Sequence, residues 1–276
     1  EVTVAFSGES VVVSTAKGAR LQGMRFVHTD GDPELRGRNG PRCLEVCGGH
    51  LTVEGCHVTS RVGSAVMAAD GGSLLMRRCE LKGCGRCGLI CVLGSWAYCD
   101  GCELSHNALN GADVQTGGCV VLRGNKVSKN HQTGVLVADA GSFVHIEEND
   151  ISGNLRRGVT AQKSGRFTLV SNRISCNKNI GVIGIGPWED YSEPLSVRDN
   201  VITGNLSSGL WVQKGHACVS RNIIASNGES GVVAFGCKNK LTFEGNVIHS
   251  NGRTGVSIHT ALQVVLKGNS VGVKVE

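Results

Sequence analysis

Thirteen cysteines, nine histidines and two loose groupings of charged residues are what this 276-residue chain offers to chemistry. Cys84-x2-Cys87 and Cys99-x2-Cys102 have the spacing of zinc-binding thiolate pairs. Asp30, Asp32 and Glu34 are oxygen ligands of the kind calcium takes. Asp139, Lys163 and Lys214, with Asp113 and His259, are the types that a lyase or epimerase of uronic acids needs: a base, and a cation to neutralise the sugar carboxylate. There is no P-loop, no dinucleotide fingerprint, no G-x-S-x-G and no H-E-x-x-H.

What positions these residues is a repeat. The pattern N-x-[IV]-x-x-N-x-x-x-G-[VIL] opens at Asn125 and returns at Asn149, Asn172, Asn200, Asn222 and Asn246, about every 23 residues, with a truncated copy at Asn269. Earlier copies place Cys56, Cys79 and Cys102 where the first Asn stands. A second Asn column runs through Asn107, Asn130, Asn154, Asn177, Asn205, Asn227 and Asn251. A fixed period of this size marks a solenoid. Alternating apolar residues, such as Val120 and Leu122, then Val127, then Val135 and Val137, resolve each repeat into three short strands. The expected fold is all-β: a right-handed, single-stranded parallel β-helix of about 10–11 coils. Inward asparagines at the bends satisfy backbone groups that cannot join a sheet. The following Gly supplies a positive φ or a close backbone approach.

On this grid Cys99 faces inward while Cys87 sits at a turn, so the four thiols do not converge to a tetrahedron. No metal or other cofactor is expected. The odd cysteine count, following the repeat, reads as reduced buried thiols and a cytoplasmic or nuclear protein. The sequon at Asn205 uses a ladder position and argues nothing for secretion. The net charge of +5 is spread along the chain, and no apolar run reaches membrane-spanning length, so neither nucleic acid nor membrane is indicated. The whole of 1–276 reads as one β-helix domain, with irregular coils over 1–50 and regular ones over 51–276. Glu1 in place of Met and the incomplete last repeat suggest a piece of a longer protein, from which a targeting segment could be missing.

Two insertions break the period, at 28–41 and at 186–194. The second emerges beside outward-facing apolar positions on three successive coils. Ile183, Ile185, Trp211, Gln213, Val233 and Phe235, with Trp188, Glu189, Asp190 and Tyr191 of the insertion, form the candidate partner-binding patch. Asp139, Lys163 and Lys214 are spread over several coils, as ordinary surface charges are, and no catalytic residue is assigned.

The repeat resembles that of the carbohydrate-binding and sugar-hydrolase (CASH) class, also called parallel β-helix (PbH1) repeats. Its nearest likeness is to the β-helix domains of F-box proteins and of the SHC SH2-domain-binding protein family. Gly48–Cys56, Leu74–Leu81 and the copies of the Asn125–Gly134 pattern carry this resemblance over roughly residues 20–274. With the apolar patch beside the insertion, it implies a non-catalytic protein-interaction scaffold of a larger intracellular protein, such as an adaptor or the substrate-recognition part of a ubiquitin ligase, bound to a protein partner. The class also holds alginate epimerases, whose Asp-Pro-His signature is absent here because Glu34 follows Asp32-Pro33. The alternatives are a lyase, epimerase or hydrolase with a polysaccharide partner, and a structural rod in a large assembly.

Overall fold

Alternation of apolar and polar residues over three to six positions, with no longer apolar period to favour a helix, drives the chain into short strands that each bury one face. In the computed structural model, which describes residues 2–7, 10–30, 41–186 and 194–272, all 32 regular elements are strands. A representative coil consists of Lys126–Ser128, Val135–Ala138 and Phe143–Glu147, one strand on each of three faces. Each strand pairs in parallel with its counterpart one coil on, with Val127 opposite Ile151, Val135 opposite Val159 and Val144 opposite Phe167. The first face is a sheet of twelve strands, which mark eleven complete turns. The other two faces share twenty strands, joined where Val232–Glu244 and Val256–Lys267 run unbroken around the corner. This is the right-handed parallel β-helix that the repeat predicts. At roughly 4.8 Å per coil the rod is about 50 Å long.

The core is a set of apolar columns running the length of the rod. On the first face Leu104, Val127, Ile151, Ile174, Ile202, Ile224 and Ile248 lie in register, all buried. Leu122, Ile146, Leu169, Val197, Val219 and Phe243 do the same on the third face.

Both asparagine columns are hydrogen-bonded ladders. Asn125 Nδ2 donates to Asn149 Oδ1 and to the Cys99 carbonyl, both at 2.9 Å, while its backbone N–H reaches Asn149 Oδ1 at 2.8 Å. The pattern recurs down to Asn269 in one column and Asn251 in the other. Cysteines head both columns. Cys102 Sγ accepts the Cys79 N–H at 3.4 Å in the first, and Cys84 donates its N–H to Asn107 Oδ1 at 3.1 Å in the second. Cys99 stands inward on the third face and Cys87 at the turn before the second face, so the two paired-thiol spacings serve different parts of the coil. Burial pushes the Cys43 and Cys84 thiols up to about 12. They are inert space-filling groups rather than thiolates.

The glycines after the second column do not take positive φ. A Cβ on Gly158 would lie 2.5 Å from the Gly181 carbonyl oxygen and 2.9 Å from Asn177 Nδ2, so close approach is what excludes other residues. Positive φ falls instead on the residue just before each ladder position, whatever its type: Glu148, Ser171, Asp199 and Arg221 before the first column, His106, Lys129 and Cys176 before the second.

Candidate functional site

The second face is where outward side chains meet a raised wall. Its outward positions form two columns, as alternation predicts. Asp113, Leu136, Thr160, Ile183, Trp211 and Val233 follow one another in register. Beside them lie Ala138 opposite Gln162, Ile185 opposite Gln213, and Gln213 opposite Phe235. The wall is the stack of Asn-x-x-x-Gly turns that lead from the first face to the second. The turns are tied to each other: the Gln132 N–H donates to the Leu109 carbonyl at 3.2 Å and the Arg156 N–H to the Gln132 carbonyl at 3.1 Å.

Between wall and face lies a cleft of about 280 Å³. Leu136, Thr160 and Gln162 line it from the sheet, and Asn110, Gln132, Thr133, Arg156 and Arg157 from the turns. Arg157 is half-buried and Arg156 exposed. Burial, and then the neighbouring Arg156 charge, lower the Arg157 pKa. Among the described residues neither guanidinium has a carboxylate within ion-pair distance. Thr160 is 2% exposed and its Oγ1 makes no hydrogen bond among the described residues.

Asp113 stands in the same outward column, one coil before Leu136 and outside the cleft lining. Its Oδ1 accepts from Gln115 Nε2 at 2.6 Å and its Oδ2 from Asn110 Nδ2 at 3.0 Å, with Cys87 Sγ 3.8 Å from Oδ2. Burial raises its pKa despite these donors and the Arg86 charge. A carboxyl held in this way exchanges protons nearer neutrality than a surface aspartate.

The residues singled out from the sequence are distributed differently from what the patch requires. Ile183 is 4% exposed and Val233 8%, in register on either side of the half-buried Trp211. Ile185, Trp211 and Gln213 are half-buried, and the indole Nε1 of Trp211 has no hydrogen-bond partner among the described residues. Phe235 alone of the strand positions is well exposed, at 46%, with its ring 6.4 Å from that of His259. Trp188, Glu189, Asp190 and Tyr191 lie outside the described residues, as do Asp32 and Glu34. Asp139 and Lys163 approach to 3.9 Å on the edge of the face opposite the wall, one coil apart, and Lys214 lies further along that edge. The sequence reading passed over the two arginines. The signal was present, since N-L-R-R-G is the only copy of the turn with two adjacent cations, against N-H-Q-T-G, N-K-N-I-G and N-L-S-S-G.

The sequence profile of the right-handed β-helix region matches residues 1–144 and 113–271. This chain belongs to the right-handed β-helix family. No curated protein matches it in sequence. Among solved structures, the mannuronan C-5 epimerase AlgE6 A-module of Azotobacter vinelandii superposes with a TM-score of 0.72 at 15% identity, covering 97% of this chain and 81% of that one. The periplasmic alginate epimerase AlgG gives 0.64 at 14% identity, covering 95% and 78%. The catalytic unit of a GH87 α-1,3-glucanase from Streptomyces thermodiastaticus gives 0.51 at 13%, covering 98% and 64%. At such identities the likeness is one of fold.

These findings correct the expectation of a non-catalytic protein-interaction scaffold. These three solved rods, each matching nearly the whole chain, are named as enzymes that act on polysaccharides. The apolar patch meant to anchor a protein is also smaller than expected, because alternation says which side a residue faces but not how its neighbours cover it.

Proposed function

We propose that this β-helix acts on a polysaccharide laid along its second face. The observation that carries this is the cleft against the turn wall. It offers two guanidinium groups and the amides of Gln132 and Gln162, all without partners among the described residues, and Asp113 stands on the same face about two coils, or roughly 10 Å, from the arginine turn. Beyond the cleft the same face continues through Gln213, Trp211 and Phe235. Amides and an aromatic ring on a straight ribbon suit an extended chain of hydroxyl-rich rings, which hydrogen-bonds at its edges and presents apolar faces. The names of the matching rods, two alginate-type epimerases and a glucanase, support the same reading. Asp113 is the group whose raised pKa suits proton transfer to or from a sugar.

The test is incubation of the protein with alginate, pectate and neutral glucans. Chain length is followed by size exclusion, unsaturated ends by ultraviolet absorbance, and epimer ratio by proton NMR. Turnover of one polymer, lost in Asp113→Asn, is the expected result. Absence of any change in all of them, together with no retardation in affinity electrophoresis, refutes it.

A further inference from the structure

We infer that Arg156, Arg157 and Thr160 form a subsite for the carboxylate of an acidic sugar, so that the polymer is a polyuronate rather than a neutral glycan. This rests on the reading of the second face as a polysaccharide surface and names the substrate class within it.

Three observations converge on the subsite. The first is charge. Arg156 and Arg157 are adjacent on one turn, so their charges repel, and Arg157 is partly withdrawn from water. Elsewhere on the rod even exposed arginines find carboxylates, Glu54 for Arg20 at 2.8 Å and Asp199 for Arg221 at 2.7 Å. Here, among the described residues, the chain supplies none. An anion from outside completes the arrangement, and the planar fork of a guanidinium matches a carboxylate in two parallel hydrogen bonds.

The second is the orphaned hydroxyl. Thr160 lines the cleft, and its Oγ1, just beneath the surface and closed to water, has no partner among the described residues. A buried hydroxyl without a hydrogen bond destabilises the free protein, and a valine of the same shape would not. A ligand that displaces the side chains over it brings an acceptor oxygen within its reach. The third is the remaining lining. Among the described residues the side-chain amides of Gln132 and Gln162 make no hydrogen bond within the chain, leaving donors and acceptors for ring hydroxyls. By contrast Asn110 is already committed to Asp113 and to the Thr133 N–H, and acts as a fixed strut. At about 280 Å³ the cleft has room for a single sugar residue, with the rest of the polymer passing along the open face.

The wall that carries the arginines is held by stacked backbone hydrogen bonds and by the Asn154 ladder beneath it, so the subsite is built before ligand arrives.

The experiment is isothermal titration with three probes: an oligomer of hexuronate, a sulfated neutral glycan of equal length, and the unsulfated neutral glycan. The proteins are the parent, Arg157→Gln, Arg156→Gln and Thr160→Val. The expected result is binding of the hexuronate that weakens with salt. Arg157→Gln should weaken it at least tenfold and Thr160→Val several-fold, as losing one charged and one neutral hydrogen bond implies. Thr160→Val should also melt no lower than the parent, which separates loss of the ligand bond from loss of structure. Preference for the sulfated glycan over the hexuronate overturns the carboxylate assignment. Equal binding of the neutral glycan by all four proteins overturns the subsite while leaving the polysaccharide reading standing. Failure of every probe to bind the parent removes the polysaccharide reading itself.

Discussion

Replacing Asn154 by alanine measures what the ladder contributes and whether the wall of the cleft depends on it. Asn154 Oδ1 accepts the Asn130 N–H at 3.1 Å and Asn130 Nδ2 at 2.9 Å. Its Nδ2 donates to the Val127 carbonyl at 3.1 Å and to Asn177 Oδ1 at 2.9 Å. The residue is fully buried. Alanine removes all four bonds, but they do not all leave orphans. Asn177 Oδ1 keeps the Asn154 N–H at 3.0 Å, and Asn130 Nδ2 keeps the Leu104 carbonyl at 3.0 Å. The lasting loss is the Asn130 N–H, one amide hydrogen of Asn130, and half of the acceptor capacity of Val127. At about 1–3 kcal/mol for each unsatisfied donor, the expected destabilisation is about 4 kcal/mol. A solenoid opens locally, so a global melting curve would blur the effect. Hydrogen exchange at the Asn130 amide is the direct assay, and about 4 kcal/mol corresponds to roughly a thousandfold faster exchange there. The exposed neighbour Leu155, changed to alanine, should alter exchange hardly at all. An Asn130 amide in Asn154→Ala that exchanges within about threefold of the parent rate would refute the argument that the ladder carries the bend.

Three further outcomes follow from the geometry. Asp113 has a raised pKa in the folded state, so the folded protein holds a proton more tightly than the unfolded chain and its stability falls as pH rises from the usual carboxylate range through the raised value. Asp113→Asn lacks that loss, and its melting temperature relative to the parent should therefore climb between about pH 3 and pH 8; a constant difference would show that Asp113 is not desolvated. Cys102→Asn extends the ladder upward by one rung, gaining the Met76 carbonyl and Asn125 Oδ1 as acceptors where the thiol accepts the Cys79 N–H at 3.4 Å. It should stabilise by about 1 kcal/mol in chemical denaturation, and a loss of stability would mean the space was shaped for sulfur. Ser171 holds φ of 55° immediately before Asn172, where Gly124 and Gly245 occupy the same place in other coils, so Ser171→Gly should gain about 0.5–1 kcal/mol in the same measurement, with no gain counting against strain at that bend.

How much the sequence reveals depends on whether a position's neighbours come from the same repeat. The inward columns were legible because each coil repeats the same demand: Val127, Ile151 and Ile174 must fill one slot, and Asn130, Asn154 and Asn177 must each bond the rung above and below. The register of the outward columns was legible for the same reason, down to Ile183 beside Trp211 and Gln213 beside Phe235. The bend geometry was only half legible. A positive φ leaves no compositional mark when Glu148, Ser171 and Asp199 all accept it, whereas the crowding that demands Gly158 leaves a strict column that invites the wrong explanation. Burial of Ile183 was not legible at all, because alternation assigns a side and not its cover, and its register neighbours Thr160 and Trp211 belong to other coils.

The cleft was missed for a related reason. Arg156 and Arg157 occupy the variable positions of a turn whose fixed positions, Asn154 and Gly158, are the ones that a repeat brings to notice. Those fixed positions serve the variable ones. Asn154 ties the turn to the coils on either side, Gly158 lets it lie against the next turn, and the backbone bonds from Arg156 to Gln132 and from Gln132 to Leu109 hold the wall at one spacing. A guanidinium on such a turn has its backbone anchor fixed to the rod, so ordering it for a ligand costs only its own rotamers. The repeat therefore does not carry the chemistry; it holds the positions it leaves unspecified at a defined distance from the face. In this chain the unspecified positions beside Thr160 are two cations without a counter-charge among the described residues, and that is where a sugar carboxylate fits.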